Sequence, residues 1–331
     1  MKNLVERIKS ANSIILSTHR QCDGDGLGAE LGLFHALKKM GKNVRVINVD
    51  ATPKKYRFLN ADQHIQYFES DTQLPPQADL ALIFDTNDER LMAPLFAPLK
   101  KITKTIAFVD HHPVLVKGPR PSAESFIDTT AASTGELAFQ LIKMLGVTLD
   151  REIARCIYTS ITFDTQLFRF IRNSPSSHKI AAELMEQPID VPLIHKSLFG
   201  NQTVQKMAFL AKTLAQIEYY CDGRLAVLKL RDEDLFHYNL EPDESRDVID
   251  MLMNIETLEA AALFRQETEN EYKLSLRSKG LIQVIGVAEN FGGGGHVFAA
   301  GASIKGDFEH IKSQVVEQLS TLLETRKKAG S

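Results

Sequence analysis

Carboxylates and imidazoles recur in this chain at the ends of apolar runs. His19, Asp23 and Asp25 follow the run Ser13 to Ser17, Asp85 follows Leu80 to Phe84, and Asp110, His111 and His112 follow Thr105 to Val109. Each has a bland reading. An Asp behind a strand is commonly a helix cap or turn residue, the stretch Asp23 to Gly26 taken alone reads as a turn, and a lone His111 could be a satisfied buried imidazole. The conjunction outweighs these readings. Carboxylates and histidines crowded together in this number without a cation would repel and carry a large desolvation cost. A pair of divalent cations removes that cost. Carboxylate and imidazole without thiolate suit Mn²⁺, with Mg²⁺, Co²⁺ or Zn²⁺ allowed. Cys22 is the weaker candidate, because its oxygen-bearing neighbours favour a harder ion. Two such cations sharing one carboxylate would activate a bridging hydroxide and hold both reacting oxygens of a phosphoryl group.

Only a particular architecture brings these residues together. Ser13–Ser17, Val44–Val49, Leu80–Phe84 and Thr105–Val109 read as buried strands, and Leu27 to Met40 carries apolar residues at helical spacing. The segment 88–98 has a helical pattern broken by Pro94 and Pro98. Strands alternating with helices imply a mostly parallel sheet covered on both faces. Ligands bind outside the carboxyl ends of such strands, so the candidate residues would share one edge. From 132 to 217 the pattern is helical. Ser133 and Glu136 form a capping box opening a helix over 134–145, and further helices are predicted at 151–163, 176–187, 190–198 and 202–217. Beyond 218, strands are predicted at 225–230, 258–265 and 271–276, with helices near 245–254, 281–290 and 307–325. The basic end RKKAGS reads as a frayed tail. The expected organisation is a first domain over 1–189, a helical connector over 190–217 and a smaller α/β domain over 218–331.

Composition narrows the function classes. A chain of 331 residues with 44% hydrophobic and 24% charged residues can bury two cores and is not disordered. No apolar run approaches the ~18 residues of a membrane span, and the charged MKNLVERIKS start is unlike a signal peptide. Three cysteines, Cys22, Cys156 and Cys221, show no CxxC and fit a reducing cytoplasm. A net charge of −3 without a basic stripe argues against coating long duplex nucleic acid. Gly292 to Gly295 reads equally as a flexible turn and as a nest of backbone N–H groups for a phosphate, with His296 adding a donor. The spacing is not that of a P-loop or a dinucleotide fingerprint. His35, His64, His178, His237 and His310 lack a partner pattern and read as surface residues.

The motifs THRQCDGDGLG at 18–28, FDTND at 84–88 and VDHHP at 109–113 resemble the first three motifs of the DHH phosphoesterase superfamily. ASTGELAFQL at 132–141 and ITFDTQLFRF at 161–170 resemble its fourth. SLRSKG at 275–280 and FGGGGHVFAAGASIKG at 291–306 resemble the DHHA1 domain. The resemblance is greatest to the small bacterial enzymes that act as nano-RNases and pAp phosphatases. It implies that His19, Asp23 and Asp85 bind one Mn²⁺ and that Asp25, Asp85, His111 and Asp164 bind a second, with Asp85 bridging. It further implies that Asp110 orients a ligand and that His112 contacts the scissile phosphate. Arg277, Ser278, Gly293, Gly294, Gly295 and His296 would hold the substrate's phosphate and nucleotide across a cleft between the domains. Cys22, Ala29 and Gln166 depart from the family pattern without removing a ligand. Gln166 could narrow the site.

The expected activity is hydrolysis of oligonucleotides of a few residues to 5′-mononucleotides, and of pAp to AMP, in the cytoplasm, by a protein that could form a homodimer. The rivals are a linear-dinucleotide phosphodiesterase, a manganese pyrophosphatase or exopolyphosphatase, and a catalytically silent nucleotide sensor. The DHHA1-like motifs argue for a nucleotide, and a silent sensor would be expected to have lost ligands.

Overall fold

A computed structural model of the protein describes residues 1–59, 63–69, 71–115, 120–172, 174–200, 202–240 and 242–329. The chain divides into two compact units, Met1–Asn201 and Gln202–Ser331. The segment predicted as a connector therefore contributes a helix to each.

The first unit holds strands β1 (Ser13–Thr18), β2 (Asn43–Asn48), β3 (Ile65–Tyr67), β4 (Leu80–Phe84), β5 (Ile106–Asp110) and β6 (Phe126–Ile127). Its helices are α1 (Lys2–Ser10), α2 (Gly24–Lys39), α3 (Phe96–Ile102), α4 (Thr134–Met144), α5 (Arg151–Asp164), α6 (Ser176–Leu184) and α7 (Val191–Phe199). The strands form one sheet in the order β3-β2-β1-β4-β5-β6, and every pairing is parallel. The strand order reverses between β1 and β4, which opens a crevice at their carboxyl ends. β1 and β4 are buried on both faces, as their continuous apolar sequences require. The proline-broken segment resolves into a 3₁₀ turn, Glu89–Met92, and α3, with Pro98 in the first turn, where no donor is lost. α1 was not expected. Leu4, Val5 and Ile8 of its charged sequence line one buried face.

Three glycines set the depth of helix packing. A Cβ on Gly24 would lie 2.6 Å from the ring of Phe163, one on Gly28 would lie 2.5 Å from the Cys156 carbonyl, and one on Gly32 would lie 2.4 Å from Ile157. They recur every fourth residue along α2, so one bare face lets α5 approach. Also on α2, Glu30 is fully buried and accepts a hydrogen bond from Asn48 Nδ2 at 2.6 Å. Asn48 Oδ1 in turn accepts from the Thr18 N–H at 3.2 Å, which ties α2 and β2 to the end of β1. His35 departs from its surface reading. Its Nε2 is buried, and its ring meets Phe34 and His64 edge-on at about 5 Å.

The second unit holds α8 (Val204–Leu214), β7 (Glu218–Tyr220), β8 (Leu225–Arg231), α9 (Asp232–His237), α10 (Arg246–Leu252), β9 (Ala260–Thr268), β10 (Glu271–Ser278), α11 (Ile285–Asn290), β11 (Gly294–His296), β12 (Ala299–Lys305) and α12 (Phe308–Ala329). Its sheet runs β11-β12-β10-β9-β8-β7 and is antiparallel except for β8 with β9. One face packs on α11 and α12, the other on α8 to α10. The glycine-rich stretch is not a loop throughout, because Gly294 to His296 form the edge strand β11. The end read as a frayed tail continues α12 to Ala329.

Burial pushes the Glu30 carboxyl up to about 8, against the opposing hydrogen bond from Asn48. The folded state therefore retains a proton that the unfolded chain releases near pH 4.5, and stability falls as pH rises from there to about 8. Glu30→Gln keeps the bond to Asn48 within reach and cannot ionise. Its Tm relative to the wild type should rise steadily between about pH 5 and pH 8 and level off above. Parallel Tm curves for the two proteins across that window would contradict a protonated Glu30.

Candidate metal centre

The crevice at the sheet switch point is lined by residues from five elements. His19 continues β1 and Asp85 continues β4, adjacent strands in register. Asp110 ends β5, and His111 and His112 follow it. Asp23 and Asp25 come from the start of α2, and Asp164 is the last residue of α5. The stretch Asp23–Gly26 is thus not a free turn. Asp23 is the N-cap, accepting from the Asp25 and Gly26 N–H groups at 3.1 and 3.5 Å, and Asp25 sits in the first turn. Gly26 admits this geometry, since a Cβ there would lie 2.1 Å from Thr18 Oγ1.

Asp85 is the hub. It is buried and held at φ 60°, a conformation that Asp and Asn tolerate better than most residues. Its two oxygens face different groups. Oδ2 lies 3.4 Å from His19 Nε2. Oδ1 lies 3.7 Å from His111 Nε2, 3.6 Å from His112 Nδ1, and accepts a hydrogen bond from Thr134 Oγ1 at 3.1 Å. Asp25 is buried beside it and accepts from the Thr134 and Gly135 N–H groups at 2.8 and 3.1 Å, and from Ser160 Oγ. The start of α4 thus supplies N–H donors to a carboxylate from α2. His111 Nε2 lies 3.5 Å from both Asp25 and Asp164. Among the described residues of the first unit, three sets result in which one ligand atom per residue lies within 4.8 Å of the others: His19, Asp23 and Asp85; Asp25, His111 and Asp164; Asp85, Asp110 and His112.

Burial sets the protonation of this cluster. It raises Asp25 well above the usual carboxylate range, with Asp164 adding to the shift against the Ser160 and Thr134 bonds. It raises Asp85 likewise, reinforced by Asp25, Asp23, Asp110 and Asp164. The two histidines diverge. Burial and the neighbouring His112 push His111 down to about 3. Its Nδ1 meets the Ala131 carbonyl at 3.3 Å, which directs the Nε2 lone pair at the carboxylates. Burial acts to lower His112, but Asp110, whose Oδ1 lies 2.8 Å from Nδ1, together with Asp164 and Asp25 outweighs it and raises His112 to about 9. Asp110 is held below its usual range, since His112 and His111 overcome the effect of its burial. Asn87 Nδ2 bonds the other Asp110 oxygen at 2.6 Å and the His112 carbonyl at 3.0 Å.

This donor set fits divalent cations. It offers hard carboxylate oxygens, a neutral imidazole and deprotonatable acids whose raised affinities for protons mark an electrostatic deficit that positive charge would fill. Cys22 is buried in the hydrophobic core cluster. Thr134, Ser160, Asn87 and Ala131 were not singled out as site residues in the sequence. Only Thr134 and Asn87 carried a signal, lying inside recognisable motifs.

In the second unit, register brings the substrate-side candidates together. Ala299 of β12 is paired with His296 on one side and with Arg277 on the other. Residues paired across a ladder point to the same face, so Arg277 and His296 flank Ala299 in one row. Ser278 follows, its N–H bonded to the Phe298 carbonyl at 2.9 Å. Gly293 and Gly295 lie against the β12 backbone, where a Cβ would approach within 2.0 Å of Gly301 O and 2.6 Å of Ala299 O. Asp250 lies 3.5 Å from Arg277 Nε.

A parallel sheet with carboxylates and histidines at its switch point, joined to a second α/β unit, defines a metal-dependent phosphoesterase. Residues 13–161 match the DHH family, N-terminal domain, and residues 222–327 the DHHA1 domain, so the chain belongs to the DHH phosphoesterases. Among its relatives is the bifunctional oligoribonuclease and PAP phosphatase NrnA of Thermus thermophilus, 29% identical over 321 residues that cover 96% of this chain and 92% of the relative. An exopolyphosphatase-related protein from Bacteroides fragilis has the same fold, with a TM-score of 0.86 at 24% identity over 98% of each chain. RecJ from Thermus thermophilus, solved in complex with Mn²⁺, shares it more distantly, with a TM-score of 0.56 at 17% identity over 97% of this chain and 55% of RecJ.

Asp85→Asn tests the charge at the hub. Asn accepts the positive φ, and the lost charge relieves repulsion with Asp23, Asp25 and Asp110. The metal-free variant should melt at or above the wild-type temperature, whereas Mn²⁺ should raise its Tm much less than that of the wild type. Equal Mn²⁺-induced stabilisation of both proteins would remove Asp85 from the metal centre.

Proposed function

We propose that the chain hydrolyses short oligonucleotides to 5′-mononucleotides and pAp to AMP with the help of two Mn²⁺ ions. The observation that carries this is the splitting of the Asp85 carboxylate between two ligand groups. His19, Asp23 and Asp85 would hold one cation, and Asp25, Asp85, His111 and Asp164 the other. When bound, such ions neutralise phosphoryl oxygens and make water acidic enough to act as a nucleophile. The protein's own groups do the rest. Thr134, Gly135 and Ser160 keep Asp25 in place, and the Ala131 carbonyl fixes the tautomer of His111. Asp110, steadied by Asn87, holds His112 as an imidazolium aimed into the crevice, where it contacts the scissile phosphate and supplies a proton to the leaving oxygen. The name of the Thermus relative supports oligoribonucleotides and pAp as the substrate class. In the second unit, the row of Arg277 and His296, with Ser278 and the Gly293–Gly295 backbone, would bind the substrate's phosphate and nucleotide.

The test is a turnover panel of pAp, dinucleotides, pentanucleotides, pyrophosphate and strands of about 20 nucleotides, with Mn²⁺. Chelation should abolish activity and Mn²⁺ should restore it. A net charge of −3 leaves few phosphate contacts outside the site. Fragments of two to five nucleotides should therefore be cleaved much faster than long strands, with a shallow salt dependence. Faster turnover of long strands, steeply dependent on salt, would refute the short-substrate reading.

Arg277→Ala and His296→Ala probe the substrate side. Each removes a charge-assisted or polar contact and should weaken substrate binding about 10- to 150-fold. Metal content should not change. Loss of bound Mn²⁺ in His296→Ala would place that residue among the ligands instead.

A further inference from the structure

Directly after Asp164 the chain takes an uncommon course. Gln166, Leu167 and Phe168 have φ of 46°, 60° and 64°, a left-handed turn made of three residues none of which is glycine. L side chains resist this conformation, and it persists only where the surroundings over-determine it, commonly at ligand clamps. Here they do. The Leu167 N–H donates to the Thr162 carbonyl and the Phe168 N–H to Thr165 Oγ1, both at 3.0 Å. The Phe168 ring stacks on His178 at 5.1 Å between centroids and meets Tyr158 edge-on. Arg172 donates to the Thr129 carbonyl, in the connection leading to α4. The strap is anchored at both ends.

Its outcome is a solvent-exposed aromatic residue six positions after Asp164. The Phe170 N–H returns to the Thr165 carbonyl at 3.0 Å, so its backbone is held to the residue that follows Asp164. The residue is 54% exposed, and the Arg169 guanidinium lies 5.5 Å from its ring centroid. A single exposed Phe is ordinary, and Phe236 is more exposed still. Phe170 differs in being presented by a strained, fixed strap whose first residue adjoins a candidate metal ligand. An aromatic face accompanied by guanidinium is the surface on which a nucleobase stacks.

We propose that Phe170, with Arg169, is a stacking platform for the nucleobase adjoining the phosphate to be cleaved. This rests on the phosphoesterase reading of the carboxylate cluster. The platform would select substrates by the presence of a base and tolerate any base, because every base has a π face.

The chain contains no tryptophan, so Phe170→Trp creates a single reporter at the platform. In the Mn²⁺-loaded protein, rapid mixing with a dinucleotide should quench its fluorescence before turnover. The same compound with one base removed at the stacked position should quench far less, and inorganic phosphate not at all. In parallel, the ratio of kcat/KM for the intact and the abasic dinucleotide should collapse about 5- to 150-fold in Phe170→Ala and recover in Phe170→Tyr. A ratio unchanged in Phe170→Ala, with hydrolysis intact, overturns the platform and leaves the phosphoesterase reading standing. If the wild type hydrolyses no nucleotide, that reading falls and the quenching decides alone: base-dependent quenching upholds the platform, and its absence overturns it.

Discussion

Negative charge buried at the sheet edge is the constraint on which the first unit turns. Asp25 and Asp85 lie in the same crevice, shielded from water, and both are driven toward their protonated forms. A few neighbours lower that cost. The N-terminus of α4 donates two N–H groups to Asp25, Thr134 bonds Asp85, and His111 is held neutral within reach of both. These contacts are too few to satisfy the clustered carboxylates. Bound metal would complete the electrostatics, so metal and fold are expected to be linked in this protein.

The same constraint explains the packing above the sheet. For Asp25 to reach both Ser160 on α5 and the N–H groups of α4, three helices must converge more closely than ordinary side chains permit. The glycines spaced along α2 remove the obstructing Cβ atoms on the side that meets α5. On the same helix another buried acid, Glu30, is pushed toward its protonated form and ties α2 through Asn48 to the strand that leads into His19. These buried polar groups thus tie the helix that carries Asp25 to the strand that leads into His19.

Two histidines that are neighbours in sequence have opposite roles because their surroundings differ. His111 turns inward, loses solvent and stays neutral. His112 is only partly buried and pairs with Asp110, which favours the charged form. In the second unit, alignment plays the corresponding part. Strand register alone puts Arg277 and His296 on either side of Ala299.

Much of the site was legible in the sequence. Ligand-type residues stood at the ends of apolar strands, and parallel topology dictates that such ends share an edge, so His19, Asp85 and Asp110 could be brought together from pattern alone. The strands and helices around them followed from apolar spacing and capping residues such as Ser133. What the sequence could not decide was anything depending on a contact between distant segments. Asp23 to Gly26 had the composition of a turn and became a helix start once Thr18 and Phe163 packed against it. The edge strand at Gly294 to His296 was hidden because its glycines fit a loop equally well, and only β12 alongside selects the strand. Ser160 and Glu30 carry no local signal, since their significance lies in a partner 135 and 18 residues away. The split of Asp85 between two groups, and the divergence of His111 from His112, arise from burial and direction. Those are properties of the packed chain, because desolvation and hydrogen-bond geometry exist only once the elements have met.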